Sequence, residues 1–469
     1  MNLARDNSTL YNLIAASENV NFIDASNDTR YTLEQIDLPI NNIELARSLI
    51  FLYTDNSLNS LVTYLNLLKT KHVLVLLSNT IETKLKENLE NDYEPSIIFD
   101  DERSYIDKYE ARELSNENIE IKLHINKEFK SVLDDNLRLM LSTSGTTGSP
   151  KFVKLSEENI KQNAISISDY LPIESTDVTP LNLPLHYSYG LSVLHSNAIN
   201  GATIVCGLPD ILSKDFWKHL NEYEFTSIAG VPFIYEMFQR IGFLKKPHPS
   251  LKYITQAGGN LSQNIKSEFN NYCIENGIEF FVMYGQTEAT ARISFVPPSM
   301  LEDKITSIGK PIKNGNITID IDTDELLYSG PNVFGGYAKQ KEDLATWENI
   351  EMLRTGDLAK QDEDGYFYIS GRLKRIAKVF GNRVNLDEIE AFVKSNLNLS
   401  LLACTGINDK FILIAHSHKN LEEAELKKAM FGTFKIQGSA IKFHYFDTLP
   451  KTKNEKIDYK TITSIYLEK

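Results

Sequence analysis

Cysteine is scarce: Cys206, Cys273 and Cys404 are spread over 469 residues with no C-x-x-C pair. That excludes a disulfide framework and a cysteine-built zinc site. No stretch approaches the roughly 18 uninterrupted apolar residues that a membrane-spanning helix needs, so no span is expected. The start, Met1-Asn-Leu-Ala-Arg-Asp-Asn, is polar and has no apolar signal-peptide core. A reducing cytoplasm is the expected setting. Excess positive charge is missing too. The net charge of −14 speaks against general binding to nucleic acid or anionic membrane. Internal repeats and low-complexity tracts are also absent. The remaining balance, 42% hydrophobic and 24% charged, is that of an ordinary globular protein. The length calls for two or three units rather than one core.

The most informative stretch is Leu141-Ser-Thr-Ser-Gly-Thr-Thr-Gly-Ser-Pro-Lys151. Hydroxyls at Ser142, Thr143, Ser144, Thr146 and Thr147 alternate with Gly145 and Gly148, and Lys151 closes the loop. Such a loop can turn backbone N–H groups and hydroxyls toward one anion, with the lysine as a point charge. A polyphosphate is the expected anion. The spacing is not that of a P-loop, because Pro150 precedes Lys151 and Phe152 follows it. The flanks differ as well. The apolar run Leu137 to Leu141 leads in, and Phe152-Val-Lys-Leu155 alternates like a second strand. A helix starts only later, with Ser156 as N-cap before Glu157 and Glu158.

At Thr143 to Lys151 the chain resembles the ANL superfamily of adenylate-forming enzymes, whose loop reads S-[ST]-G-[ST]-T-G-x-P-K. That group includes acyl-CoA synthetases, adenylation domains of peptide synthetases and firefly-type luciferases. The resemblance implies an α/β fold: a large N-terminal adenylate-forming domain on parallel-rich sheets, and a small mobile α+β C-terminal domain. Residues 1–372 would form the first and 373–469 the second, with a hinge near Lys374.

Before the loop, Leu58 to Leu68 has helical apolar spacing. His72 to Leu77 and Ser96 to Phe99 read as buried strands, and Thr80 to Asn91 as a helix. Strand–helix alternation predicts a parallel sheet. After the loop, Leu181-Asn-Leu-Pro-Leu-His-Tyr-Ser-Tyr-Gly190 places His186, Tyr187 and Tyr189 between a strand ending at Pro184 and a helix from about Leu191. The family carries a similar P-x-x-H-x-x-G segment, which lines the acyl pocket and faces the phosphates.

Next comes a βαβ unit. Leu251 to Gln256 is a strand ending at Ala257-Gly-Gly-Asn260, and Ser262 caps a helix to about Glu275. Ile278 to Met283 is a second strand, ending at Tyr284-Gly-Gln-Thr-Glu288. The carboxyl ends of parallel strands share one edge, where open α/β sheets bind ligands. Gly258, Gly259 and Gly285 allow a flat ligand to approach the backbone. Tyr284 offers a face to a base, Thr287 a hydroxyl to a phosphate, and Glu288 an oxygen ligand to Mg²⁺. The string matches the family's Y-G-x-T-E, which has those roles.

Asp364-Gly365 signals a hairpin between Arg354-Thr-Gly-Asp357 and Gly365-Tyr-Phe-Tyr-Ile-Ser-Gly-Arg372. Asp357 and Arg372 match the family's ribose-binding aspartate and its arginine at ribose and phosphate. The run from Arg372 to Arg383 has five basic residues and no acidic one. It reads either as a solvated face or as a docking site for CoA phosphates or an acidic carrier protein. Asn385 with Glu388 resembles a capping box. Phe411 to Ala415 and Ile441 to Tyr445 read as strands, and Glu422 to Phe431 as a helix. Near the end, Pro450-Lys-Thr-Lys-Asn-Glu-Lys456 resembles the family's P-x-T-x-x-G-K. Its lysine, here Lys456, enters the active site for adenylation. Glu455 departs from the family glycine, and Lys451 and Lys453 are rival lysines.

The expected activity is a two-step ligase using ATP and Mg²⁺, with CoA or an acyl carrier protein as thiol acceptor. Lys456, Thr287, Glu288, Lys151 and His186 are the expected catalytic residues. No acidic residue occurs from Pro184 to Pro209. The aspartate that holds an α-ammonium in amino-acid-activating relatives would fall near Ser188. The small-molecule acid is therefore expected to be fatty, aryl or otherwise non-amino. Use of the adenylate in oxidation and a catalytically dead scaffold are the other readings.

Overall fold

Leu49–Thr54 is buried along its whole length, and Val73–Ser78 along all but its last residue. Strands covered on both faces read as continuous apolar runs, as these do. In this computed structural model they lie parallel to each other and to Ile97–Phe99 and Leu139–Ser142. The structure describes all residues except 1–7, 18, 41–42, 44, 143–150, 380–381, 398–401, 408–409, 420, 435, 453–456 and 469. Among the described residues the largest sheet has eight strands, the parallel four at its centre and antiparallel strands toward both edges. One edge pairs Leu139–Ser142 with Phe152–Leu155, which pairs in turn with Tyr337–Ala338. The other edge is the hairpin Glu110–Ser115 with Glu120–Ile125, which the alternation pattern did not predict.

A second sheet carries Ser227–Gly230, Tyr253–Gln256 and Glu279–Tyr284 in parallel, followed by antiparallel Ser294–Val296 and Lys310–Pro311. The expected βαβ unit is therefore present. Its helix is Gln263–Asn276, with the Ser262 side chain accepting from the Ile265 N–H. The helix Glu157–Tyr170 starts at a capping box in which Ser156 and Asn159 exchange hydrogen bonds.

Two helix starts differ from the periodicity. The helix expected from Thr80 begins at Thr83. Ser78 and Thr80 bond through their hydroxyls, and the Ser78 hydroxyl accepts from the Thr80 N–H. These local bonds compete with helix formation. The helix expected from Leu191 begins at Ser188, because the Tyr187 N–H donates to the Pro184 carbonyl and turns the chain early. Gly190 fits there because a Cβ would collide with the carbonyls of Leu183 and Pro184.

The chain divides into two units, one of residues 1–317 and 328–353, the other of residues 318–327 and 354–469. The second holds the antiparallel pair Leu353–Gln361 and Phe367–Arg372 from Arg354 onward. It also holds a sheet of Leu402–Ile407, Phe411–His416 and Ile441–Tyr445, with helices Leu386–Leu397 and Glu423–Phe434. Ile389, Val393, Leu402, Ile412, Ile414 and Met430 form its core. Among the described residues no helix is long and apolar enough to cross a membrane.

Candidate active site

The strand Glu279–Tyr284 runs through Gly285 and Gln286 into one 3-10 turn, Thr287–Ala289. Gly285 is needed because a Cβ would strike the Ala291 carbonyl, where the chain doubles back to pair Tyr284 with Ser294. This turn sets the half-buried Thr287 and Glu288 at the carboxyl end of the parallel strands. Thr287 Oγ1 lies 3.3 Å from Ser188 Oγ, at the start of the helix Ser188–Ala198.

Glu288 is held by a residue that the sequence motifs did not single out. Its Oε1 accepts a 2.8 Å hydrogen bond from the Tyr337 hydroxyl. Its carbonyl accepts from the Phe334 N–H at 2.9 Å. Tyr337 pairs with Val153 on the strand that follows Lys151. Lys151 Nζ in turn lies over the Tyr337 ring, 3.1 Å from its centroid. One ring thus touches both Lys151 and the candidate metal carboxylate. Burial, followed by the adjacent Glu288 charge, pushes the Tyr337 phenol well up, so it keeps its proton and stays a donor. Glu288 Oε2 takes no partner among the described residues.

His186 occupies the turn between Pro184 and the helix. Burial lowers its pKa to about 4, opposed by a backbone hydrogen bond with Thr54. Its Nδ1 is sealed from solvent without a partner among the described residues. At neutral pH this imidazole is uncharged. Gly258 takes φ +81, and a Cβ there would meet the Tyr187 hydroxyl. A Cβ on Gly259 would come within 3.0 Å of Pro232 Cγ. The glycine turn after Gln256 is therefore packed directly against Tyr187 on one side and Pro232 on the other. Tyr284 is half-buried at the end of the neighbouring strand.

A sequence model of the AMP-binding enzyme family matches residues 45–338. The chain belongs to this family. It is an adenylate-forming enzyme of the superfamily that its motifs resemble. Oxalate–CoA ligase of Arabidopsis thaliana is 26% identical over 358 residues, covering 71% of this chain and 68% of that protein. 2-Succinylbenzoate–CoA ligase of Bacillus licheniformis is 27% identical over 347 residues, 70% of each. The solved structure of o-succinylbenzoate CoA synthetase (MenE) from Bacillus subtilis, in complex with the acyl-adenylate intermediate OSB-AMP, has the same fold. It superposes with a TM-score of 0.75 at 22% identity, covering 97% of each chain. Mycobacterium tuberculosis fatty acyl CoA synthetase superposes with a TM-score of 0.72 at 16% identity, covering 98% of each. The two-domain adenylate-forming fold is thus shared at full length.

Two further residues that the motif resemblance singled out, Asp357 and Arg372, lie in the second unit. Asp357 and Arg372 face each other in register on adjacent strands, with Arg372 Nε 3.0 Å from Asp357 Oδ1. The Asp357 side chain is 10% exposed and that of Arg372 69%. The carboxylate is thus fixed in the sheet while the guanidinium stays at the surface. Lys374 is exposed in the 3-10 turn Leu373–Arg375. Thr143, Ser144, Gly145, Thr146, Thr147, Gly148 and Lys456 lie outside the described residues.

Proposed function

We propose that this enzyme activates a non-amino carboxylic acid with ATP to an acyl-adenylate and then transfers the acyl group to the thiol of CoA. The observation that carries this reading is the meeting of Lys151 and Glu288, from motifs far apart in the chain, at the Tyr337 ring. The named relatives are CoA ligases, which favours CoA over a carrier protein as acceptor.

In the first step a carboxylate oxygen attacks the α-phosphorus, and the bond to pyrophosphate breaks with its electron pair leaving on pyrophosphate. Acid and triphosphate repel each other, so positive charge must gather where negative charge builds. Lys151 stands at the end of the hydroxyl-rich loop Thr143–Gly148 for that task, and Lys456 is assigned to the reacting centre. Thr287 offers a hydroxyl to a phosphate. His186, neutral at pH 7, offers a hydrogen bond at the same edge. Tyr284 with Gly258, Gly259 and Gly285 makes room for the base, and Asp357 with Arg372 holds the ribose. Tyr337 is a positioning residue that fixes Lys151 and Glu288 relative to each other.

Mg²⁺ fits Glu288, whose Oε2 is unengaged. Among the described residues no group of three or more His, Cys, Asp or Glu can hold a metal, and Mg²⁺ commonly takes one or two carboxylates with phosphates and water completing its shell. When bound, it neutralises charge on the phosphates. In the second step the thiol sulfur attacks the acyl carbon, the bond to AMP breaks, and the thiol proton is lost. Lys456 has no task there. In this reading residues 373–469 turn about Lys374 between the two steps.

In this reading the acid is not an α-amino acid: no acidic residue occurs from Pro184 to Pro209, and the place that the resemblance gives the ammonium's carboxylate falls near Ser188, which is engaged with Thr287. The test is exchange of labelled pyrophosphate into ATP across aliphatic, aromatic, dicarboxylic and α-amino acids, then thioester formation with CoA and with carrier protein. Exchange that depends on a non-amino acid, with AMP released on adding CoA, is expected. Protein that binds ATP but exchanges with no acid would overturn the reading.

A further inference from the structure

The segment that leads to Tyr337 also carries Asn332, which is 1% exposed. Burying a side-chain amide is costly unless its donors and acceptor are met, and here they are. Asn332 Nδ2 donates to the Ala289 carbonyl at 2.7 Å and to the Arg292 carbonyl at 2.8 Å. Its Oδ1 accepts from the Tyr328 hydroxyl at 2.8 Å, and its own carbonyl accepts from Thr290 Oγ1 at 2.7 Å. Burial pushes the Tyr328 phenol well up, so it stays a donor. The two carbonyls bracket Thr290 at φ 55 and Ala291 at φ 117, a region that residues other than glycine rarely enter. Such a backbone persists only where its surroundings over-determine it. Asn332 does this for the turn that follows directly on Thr287 and Glu288.

Two more buried asparagines, Asn159 and Asn163, tie this turn to the helix Glu157–Tyr170, which follows the strand after Lys151. They share one face of that helix. Asn159 Nδ2 donates to the carbonyls of Pro331 at 2.8 Å and Val333 at 2.9 Å, on either side of Asn332. Asn163, with its amide oriented by the hydrogen-bond network, donates to the Thr290 carbonyl at 3.0 Å and accepts from the Arg292 N–H at 3.3 Å. The Arg292 side chain, 2% exposed, anchors the far end of the turn. Its Nε donates to Tyr170 Oη of the same helix at 3.0 Å and its Nη2 to Ser192 Oγ at 3.3 Å. Its guanidinium carbon lies 4.9 Å from the centroid of the Tyr189 ring. Leucine side chains at 159, 163 and 332 would fill similar space and supply none of these donors.

We propose that Asn332, Asn163 and Asn159 are positioning residues that hold the Thr287–Glu288 turn ready for Mg²⁺ and phosphate and fix it to the helix that follows Lys151. This rests on the ligase reading above and deepens it, since none of the three touches the candidate metal carboxylate. Tyr337 holds the Glu288 side chain, and the asparagines hold the backbone beneath it. Mg²⁺ demands near-ideal geometry, so a turn that drifts weakens the metal before it weakens packing elsewhere.

The test compares the wild type with Asn332→Ala, Asn163→Ala and Tyr328→Phe. It measures acid-dependent pyrophosphate exchange against Mg²⁺, thioester formation from supplied acyl-adenylate and CoA, and amide hydrogen exchange. Asn332→Ala should lower pyrophosphate exchange by about 30-fold at limiting Mg²⁺, as two buried hydrogen bonds are lost. Saturating Mg²⁺ should recover part of that loss, and thioester formation should stay within about threefold of the wild type. The Thr290 and Ala291 amides, which donate to Thr287 and Gln286, should exchange faster, while those of the strand Leu49–Thr54 keep their protection. Asn163→Ala should show the same pattern. Tyr328→Phe should show a weaker form, because it removes only the bond to Asn332 Oδ1. An unchanged Mg²⁺ requirement overturns the inference, as does an equal loss in both half-reactions or an unchanged amide exchange in the turn. If Asn332→Ala does not fold, Asn163→Ala and Tyr328→Phe decide by the same readouts. Wild-type protein that exchanges pyrophosphate with no acid overturns the ligase reading and this inference with it. An active wild type whose variants keep its Mg²⁺ dependence overturns only the inference.

Discussion

The Tyr337 hydroxyl donates to Glu288 at 2.8 Å, and Lys151 lies over the face of the same ring. These two contacts can be separated. Tyr337→Phe keeps the ring under Lys151 and removes the hydrogen bond, which as a bond to a charged group is worth about 1.5–3 kcal/mol. Exchange should fall by about 10-fold or more and need more Mg²⁺ for half-maximal rate. Tyr337→Leu, which loses the cation–π contact too, should fall further. A Tyr337→Phe enzyme with the wild-type rate at limiting Mg²⁺ would remove Tyr337 from the site.

The packing of Gly258 against Tyr187 makes a second prediction. At Gly258→Ala the new methyl group meets the Tyr187 hydroxyl in a left-handed backbone conformation. Gly277→Ala is the control: φ is +68 there and nothing lies within 4 Å of the added carbon. That control should cost only the backbone term, about 1–2 kcal/mol. Gly258→Ala should cost more than this and raise the KM for ATP. Tyr187→Phe should restore part of the loss in a double-mutant cycle. Equal costs at the two glycines would show that the close approach carries no weight.

Much of what positions Thr287 and Glu288 was legible because it is local. Tyr253–Gln256, Gln263–Asn276 and Glu279–Tyr284 lie within two residues of their expected bounds at each end. Each is an apolar run or a capped helix between glycine or serine punctuation. Asn385 likewise accepts from the Glu388 N–H, as its spacing suggested. Tyr337 was not legible, because it reaches the site only by pairing with Val153, a register that no local pattern encodes. Arg292 was hidden for a related reason. No local pattern singles it out, and only the packing of Tyr170, Tyr189 and Ser192 around it shows a buried cation.

Acid should weaken the first unit through its histidines. Burial lowers His72 and His186 to about 4 and His195 to about 3. The charges of Arg138 and Arg47 add to the effect at His72. In the unfolded chain these groups return to about 6.5. Between about pH 6.5 and 4 the unfolded state therefore binds protons that the folded state does not. Stability is full above that window and falls as the pH drops through it, by up to about 1.4 kcal/mol per pH unit for each histidine. Urea unfolding midpoints should hold near about pH 7.5 and decline by about pH 5, with a shallower decline in His72→Gln. A midpoint that is flat over this range would mean that these histidines are not held neutral.

Lys456 should separate the two half-reactions. Adenylation brings a carboxylate against the α-phosphate, and the charge that develops there needs a cation at the reacting oxygens. Transfer to the thiol has no such pairing, because the adenylate is already formed and AMP leaves as a stable anion. Lys456→Ala should therefore cut acid-dependent pyrophosphate exchange by about 100-fold or more. It should leave thioester formation from supplied acyl-adenylate and CoA close to the wild-type rate. The backbone of Lys451 is engaged in a bridge with Ile457, and Lys451→Ala and Lys453→Ala should both be milder in exchange. If Lys451→Ala or Lys453→Ala abolished exchange while Lys456→Ala did not, the adenylating role would pass to that lysine, and Glu455 in the place of the family glycine would mark a loop that presents a different residue.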